Sequence, residues 1–136
     1  MPVYFRTPSQ RKVRKMTARQ RKKFHLGEFA RLDFGMAGNL LSQHHTSEYF
    51  DRFMDELIDF VEQNSMCLGG GGCGADFSFI VEHEKQPPLN ITAEQKALLI
   101  NWLAARPDVE HLRAGAIIDG FYADEAMFEQ YDEIYK

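Results

Sequence analysis

The hydrophobic residues of the chain follow two periodicities, which predict strands and helices in turn. From Phe34 to Leu40, apolar residues alternate with small or polar ones, and this period of two is typical of a strand. Thr46 or Ser47 then supplies a helix cap, after which apolar residues recur at intervals of three and four. This pattern predicts a helix over 47–63 with an apolar face made of Phe50, Phe53, Met54, Leu57, Ile58 and Val61.

The segment after this helix predicts two further strands. Residues 66–73, "MCLGGGGC", form a glycine-rich strand candidate, and Phe77 to Glu82 alternate between apolar and polar residues. A second helix is indicated by Thr92 and Gln95, which have the spacing of a capping box, and Pro107 ends it. Its expected buried face consists of Leu98, Leu99, Trp102 and Leu103.

The remaining pattern completes a fold of alternating elements. "VEHLRAGAIIDGFYA" predicts a last strand region that is broken around Ala114–Gly115. The order strand, helix, strand, strand, helix, strand predicts an α+β, ferredoxin-like βαββαβ sandwich. Right-handed crossovers would give it a four-stranded antiparallel sheet with two helices on one face.

The two ends of the chain lie outside this pattern. Residues 1–18 have little apolar periodicity, so we expect them to be extended or disordered when alone. A short helical pattern begins at Leu26, and "DEAMFEQYDEIYK" predicts an acidic C-terminal helix. The predicted organisation is a basic, flexible arm (1–23), a single α/β domain (24–123) and an acidic helical extension (124–136).

Composition limits the class of protein. A chain of 136 residues with 44% hydrophobic residues supports one packed core. No apolar run approaches the roughly 18 residues of a membrane span, and the N-terminus lacks the order of a secretory signal. We therefore expect a cytoplasmic protein without a membrane partner.

Charge is distributed very unevenly. Residues 1–31 have a balance of +9 and residues 32–136 a balance of −13, although the whole chain has a formal net charge of −4. Eight of the thirteen residues in "RKVRKMTARQRKK" (11–23) are Lys or Arg, and none is acidic. Such a block is typical of phosphate contacts with little sequence specificity. A solubilising or disordered tail is the alternative. The candidate nucleic-acid-binding residues are Arg11, Lys12, Arg14, Lys15, Arg19, Arg21, Lys22 and Lys23.

Other motifs do not indicate catalysis or a metal. "GGGGCG" is followed by Ala75 and Asp76 instead of the Lys-Ser/Thr that a phosphate-binding loop requires. Cys67 and Cys73 have no partners at zinc-ligand spacing, so two reduced thiols are expected. The same lack of partners holds for His44, His45, His83 and His111. No nucleophile has an adjacent base, so neither enzymatic activity nor a cofactor is expected.

The order of these segments resembles a known family. "RQRKKFHLGEFARLDFGM", "SEYFDRFMDELIDFVEQN" and "ITAEQKALLINWLAARPDVEHLRAGAIIDGFY" are similar to the YggL family of bacterial 50S ribosome-binding proteins, over about residues 17–123. The resemblance implies association with the large ribosomal subunit, a small α/β body and no enzymatic activity. The matching positions are Arg19, Arg21, Lys22 and Lys23, followed by His25, Glu28 and Phe29. The first four cations and the extension 124–136 go beyond the family's usual limits.

Two classes of function are compatible with these features. The first is a monomeric accessory protein that binds the 50S subunit and its rRNA through the arm, with a role in assembly or translation. The second is a protein-interaction module whose contact is the acidic body or the C-terminal helix, with the arm incidental. Neither class needs a small-molecule substrate.

Overall fold

The computed structural model describes residues 9–24, 30–73, 75–86, 89–120 and 125–136. The elements in chain order are α1 (Gln10–Lys15), α2 (Ala18–Phe24), β1 (Leu32–Leu40), α3 (Ser47–Gln63), β2 (Met66–Cys73), β3 (Asp76–His83), α4 (Ala93–Ala105), β4 (Val109–Ala114), β5 (Ile118–Asp119), α5 (Glu125–Phe128) and β6 (Glu133–Ile134). None of the helices in these ranges is long and apolar enough to cross a membrane.

The strands form one antiparallel sheet in the order β2-β3-β1-β4-β6, and β5 pairs with β1. The α+β class and the order of elements from β1 to β4 agree with the sequence. The predicted four-stranded ferredoxin-like arrangement is not confirmed, because the sheet has six strands in the described residues. β5 and β6 are only two residues long each, so neither has enough alternation to be recognised from sequence.

The core lies between α3, α4 and one face of the sheet. α3 begins where the Thr46 side chain accepts a hydrogen bond from the Tyr49 N–H, and α4 begins with the predicted capping box of Thr92 and Gln95. The two helices and the sheet share one apolar cluster, whose members include Phe34, Met36, Phe53, Leu57, Val61, Phe77, Phe79, Leu99, Ile100, Leu103 and Leu112. Leu98 is 49% exposed, contrary to the prediction, and Ile100 is buried instead. Apolar residues surround most of α4, so their spacing did not define its buried face.

Residues 125–136, which we call the C-terminal segment, cross the other face of the sheet. A Cβ atom on Gly35 of β1 would lie 2.2 Å from the Phe128 carbonyl oxygen, so the two backbones touch there. Phe128 is 7% exposed, and the Tyr131 hydroxyl lies 3.0 Å from Ser78 Oγ of β3. The two long helices and the C-terminal segment therefore cover opposite faces of the sheet.

The predicted C-terminal helix is wrong over most of its length. Only Glu125–Phe128 are helical, and Glu133–Ile134 pair as β6 with Ala114 and Arg113 of β4. The Tyr135 N–H also donates to the Leu112 carbonyl at 2.8 Å. Hydrogen bonds to a strand edge, which sequence periodicity cannot show, override the local helical pattern here.

Residues 10–15, which the sequence predicted to be extended or disordered, are helical, and a second helix follows at Ala18–Phe24. The Ser9 side chain accepts a hydrogen bond from the Lys12 N–H at the start of α1. Thr17 and Gln20 exchange backbone-to-side-chain hydrogen bonds at the start of α2, as in a capping box. These caps explain two short helices in a segment without apolar periodicity. The helix predicted from Leu26 falls mainly on 26–29, outside the described residues, and Leu32 at the end of that pattern begins β1.

The strands of the sheet are irregular at two places. β4 ends at Ala114 and β5 begins at Ile118, which confirms the predicted break. β2 is an edge of the sheet in the described residues, and Gly70 within it has a φ of +105°. A Cβ atom at Gly70 would also lie 2.8 Å from the Ser78 carbonyl oxygen, so only glycine fits this position.

Candidate functional site

The cationic residues of the arm lie on α1 and α2, and neither helix buries a residue. Seven of these side chains are exposed: Arg11, Lys12, Arg14, Lys15, Arg19, Lys22 and Lys23. Arg21 is half-buried and donates a hydrogen bond to the Met16 carbonyl. Residues 9–24 contain no acidic residue, so this surface has a single sign of charge.

Helical geometry sorts these cations into rows. Arg11, Arg14 and Lys15 are three and four residues apart on α1, so they share one side of that helix. Arg19, Lys22 and Lys23 repeat the same spacing on α2. Side chains at this spacing are neighbours, and like charges among them repel. Each helix therefore presents a row of cations that an anion would stabilise.

The remaining residues of the family-like motif are His25, Glu28 and Phe29. All three lie outside the described residues, so their role stays a prediction.

Several cations of the body, by contrast, are engaged within the fold. Lys96 Nζ lies 2.6 Å from Glu133 Oε2, and this hydrogen bond lowers the pKa of Glu133. Lys136 Nζ donates to the Arg106 and Val109 carbonyls, and the Arg113 guanidinium lies 5.3 Å from the Tyr131 ring centroid. These contacts hold β4, α4 and the C-terminal segment together.

Arg106 joins α3 to the start of β4 through Asp108. Its Nε and Nη2 atoms donate to the two Asp108 oxygens at 3.0 and 2.8 Å, and its Nη1 atom donates to Glu56 at 2.7 Å. The Tyr49 hydroxyl donates to the same aspartate at 2.6 Å. Burial raises the pKa of Asp108, but the hydrogen bonds from Arg106 and Tyr49 outweigh it and lower that pKa below its usual value. This cluster is a structural ion pair with its partners in place.

Asp33 is a second buried aspartate, but its environment raises its pKa, whereas that of Asp108 is lowered. Burial raises the pKa of Asp33 to about 6, and the nearby carboxylates of Glu82 and Asp119 add to this effect. Gln86 and Arg31 lower it only in part. Asp33 could not be recognised from the sequence, because a single aspartate in a strand has no spacing that marks it.

The cysteines and histidines have local structural contacts. Cys67 is a free thiol whose Sγ atom donates to Glu82 Oε1 at 3.4 Å, and burial raises its pKa to about 11. Cys73 is the last residue of the same strand, β2. His45 contacts the Leu40 carbonyl, and His111 Nδ1 contacts Asn39 Oδ1 at 2.9 Å. No group of metal-ligating residues occurs in the described ranges.

These features define a small α+β protein with a cationic helical arm joined to an acidic body. Its family is shown by the sequence: residues 18–122 match the model of the YggL 50S ribosome-binding protein family. The chain belongs to this family, which confirms the resemblance of its segments. The match includes α2 with Arg19, Arg21, Lys22 and Lys23, whereas α1 and the C-terminal segment lie outside it. No curated protein and no solved structure matches the chain.

Proposed function

We propose that this protein binds the large ribosomal subunit by placing the cations of α1 and α2 on rRNA phosphates. In this proposal it is a non-enzymatic cytoplasmic factor that acts as a monomer in ribosome assembly or translation. Membership of a 50S ribosome-binding family supports the subunit as the target. The rRNA contact is our inference from the arm.

One observation carries this inference. The arm presents exposed cations with no acidic residue among them in 9–24. Lys96, Arg106 and Lys136 of the body, in contrast, are engaged in hydrogen bonds within the fold. Lys and Arg side chains that are free to approach phosphates supply most of the affinity in nucleic-acid binding. The acidic body repels phosphates, so it would direct binding to the arm.

The geometry of the arm suggests how the contact forms. Repulsion within the rows of Arg11, Arg14 and Lys15 and of Arg19, Lys22 and Lys23 opposes helix formation until an anion compensates it. Helices of six and seven residues are also marginal without packing. Binding to phosphates would therefore stabilise α1 and α2 as it forms.

Deletion of residues 1–23 tests the proposal. We expect the shortened protein to lose co-sedimentation with large subunits at moderate salt, while its thermal unfolding changes little, because neither helix of the arm buries a residue. Retention of subunit binding by this variant would refute the arm as the contact.

A charge-reversal variant tests the same contact without removing any backbone. Arg19→Glu, Lys22→Glu and Lys23→Glu together reverse the exposed row of α2. The control reverses two exposed body residues, Arg52→Glu and Lys85→Glu. Loss of subunit binding in the arm variant alone supports the proposal, and equal loss in both would mean that only net charge matters.

The second candidate is a protein-interaction module. Its support is the solvent side of α3, which carries six exposed carboxylates: Glu48, Asp51, Asp55, Glu56, Asp59 and Glu62. A basic polypeptide would be the complementary partner. This candidate predicts that subunit binding survives deletion of the arm and is lost when these carboxylates are replaced by amides.

A further inference from the structure

A polar cleft of about 440 Å³ opens on the sheet face that the C-terminal segment crosses. Its polar lining side chains are Arg31, Asp33, Glu82 and Gln86, and the Phe128 side of the C-terminal segment provides an apolar wall. This cleft is separate from the arm and has no part in the proposed rRNA contact.

Strand register brings the two carboxylates of the cleft together. Phe34 of β1 pairs with Val81 of β3, so the preceding Asp33 lies opposite Glu82. Phe34 and Val81 are in the core, and the alternation of a strand therefore turns Asp33 and Glu82 to the opposite face. Cys67 of β2 pairs with Glu82 and donates to it, which extends the row across three strands.

Polar atoms beside the cleft lack partners. Asp33 is 7% exposed, and within the described structure its Oδ1 atom accepts no hydrogen bond. Arg31 Nε is also buried without a hydrogen-bond partner there. Buried carboxylates are normally paired or hydrogen-bonded, because an unpaired one loses its hydration without compensation. An incompletely paired carboxylate at a cleft indicates a site for a complementary group.

We propose that this cleft binds the guanidinium group of an arginine side chain presented by a basic partner polypeptide. Among the described lining residues, two carboxylates against one guanidinium, that of Arg31, give the cleft a net negative charge, which favours a cation. A planar guanidinium offers several donors to Asp33 and Glu82, and its aliphatic stem fits an apolar wall beside Phe128. A metal ion fits less well, because the described residues include no group of ligands that could hold one.

An external polypeptide is the favoured occupant over the described part of the chain's own arm. α1 and α2 contain arginines, but none of them lines the cleft. The inference rests on the proposed function for the location of the partner, namely a basic protein of the large subunit. In that case α1 and α2 contact RNA while the sheet face contacts protein.

The test uses the full chain and a short, capped, arginine-rich peptide. Its control is the same peptide with citrulline in place of arginine, which removes the charge and keeps the shape. Asp33→Asn removes the charge of the cleft, and Asp59→Asn removes the same charge from the exposed side of α3 on the other side of the sheet. Calorimetry at low salt measures peptide affinity, and carbon NMR reports on the Asp33 carboxyl group.

We expect Asp33→Asn to weaken the arginine peptide about tenfold or more, and Asp59→Asn to change it within about twofold. The arginine peptide should also lower the pKa of Asp33. The citrulline peptide should neither bind with this affinity nor lower that pKa. Equal weakening by both substitutions would overturn the proposal, because it would mean attraction to net charge alone. Tighter peptide binding after deletion of residues 1–23 would also overturn it, because the arm would then be the occupant.

The arm variant separates this inference from the proposed function. Arg19→Glu, Lys22→Glu and Lys23→Glu together should abolish subunit binding and leave affinity for the arginine peptide within about twofold. If that variant still binds subunits, the proposed function fails while the peptide result stands. If Asp33→Asn leaves peptide affinity unchanged, the cleft proposal fails while the arm result stands.

Discussion

Two buried aspartates of this protein have opposite electrostatic environments. Asp108 has a guanidinium and a phenol as hydrogen-bond donors, and its pKa is lowered. Asp33 is similarly buried, but an oxygen atom lacks a donor and its pKa is raised to about 6. Asp108 therefore stabilises the fold in its charged form, whereas the charge on Asp33 opposes folding.

Replacement of Asp33 by Asn should stabilise the protein at neutral pH. The unfolded chain loses the Asp33 proton near its ordinary pKa of 3.8 and the folded chain only near 6, so stability falls as the pH rises between these values. Above pH 6 the variant should be more stable by about 2 kcal/mol, with no difference below pH 4. Urea unfolding from pH 4 to pH 8 measures this. A less stable variant at pH 7.5 would contradict the assignment.

Replacement of Asp108 by Ala should destabilise the protein by about 3 kcal/mol, because it leaves the Arg106 and Tyr49 donors without their acceptor. The control is Glu56→Ala, which removes the exposed carboxylate on the same guanidinium and should cost less than about 1 kcal/mol. Thermal unfolding at pH 7 compares the two, and equal losses would argue against a buried ion pair. The lowered pKa of Asp108 means that its contribution is complete above pH 4 and is lost on further acidification.

At the scale of elements, the C-terminal segment depends on close backbone approach. Gly35 of β1 leaves room for the Phe128 carbonyl oxygen, and β6 adds to β4. The segment buries Phe128 but leaves Ile134 78% exposed. A few specific contacts therefore hold it on the sheet.

Gly35→Ala should displace this segment, since the new Cβ would meet backbone atoms that cannot rotate away. We expect a loss of about 1–3 kcal/mol, as for other overpacked positions. Gly71→Ala, where a Cβ would meet nothing within 4 Å, should change stability by less than about 0.5 kcal/mol. In a chain that lacks residues 127–136, Gly35→Ala should have almost no effect. A persistent loss there would place the strain elsewhere.

Elements with signals inside their own sequence could be predicted. α3 and α4 have capping residues at Thr46 and Thr92, α3 also has regular apolar spacing, and the structure confirms both helices. β6 could not be predicted, because its formation depends on hydrogen bonds to β4 rather than on its own residues. The exposed cations of the arm were visible in the sequence. The cleft was not, because only the pairing of β1 with β3 brings Asp33 opposite Glu82.

At the scale of the whole molecule, charge is separated between an arm and a body. α1 and α2 present the exposed cations of the arm, whereas the body, residues 32–136, has a net charge of −13. The arm therefore attracts phosphates, and the body of the same small chain repels them. Such a molecule should bind only where a phosphate surface admits the arm and keeps the body away.

Salt dependence measures how many phosphates the arm contacts. If about six are neutralised, the logarithm of affinity for large-subunit rRNA should fall against the logarithm of salt concentration with a slope of roughly −4 to −5. Lys22→Ala should reduce this slope by about 1, and Lys85→Ala of the body should leave it unchanged. Filter binding over a range of salt concentrations provides the measurement. A slope near zero would exclude the arm as a phosphate contact.

The glycine-rich strand β2 has a consequence for local dynamics. Gly69–Gly72 lie at a sheet edge with little side-chain packing, and ordering glycine costs more backbone entropy than ordering other residues. The free energy of local opening should therefore be lowest here among the long strands, and highest in β1, which lies between β3 and β4. In hydrogen exchange, the amide protons of Gly69–Gly72 should exchange well before those of Phe34–Ala37. The sheet would then open from its glycine edge while its centre stays closed.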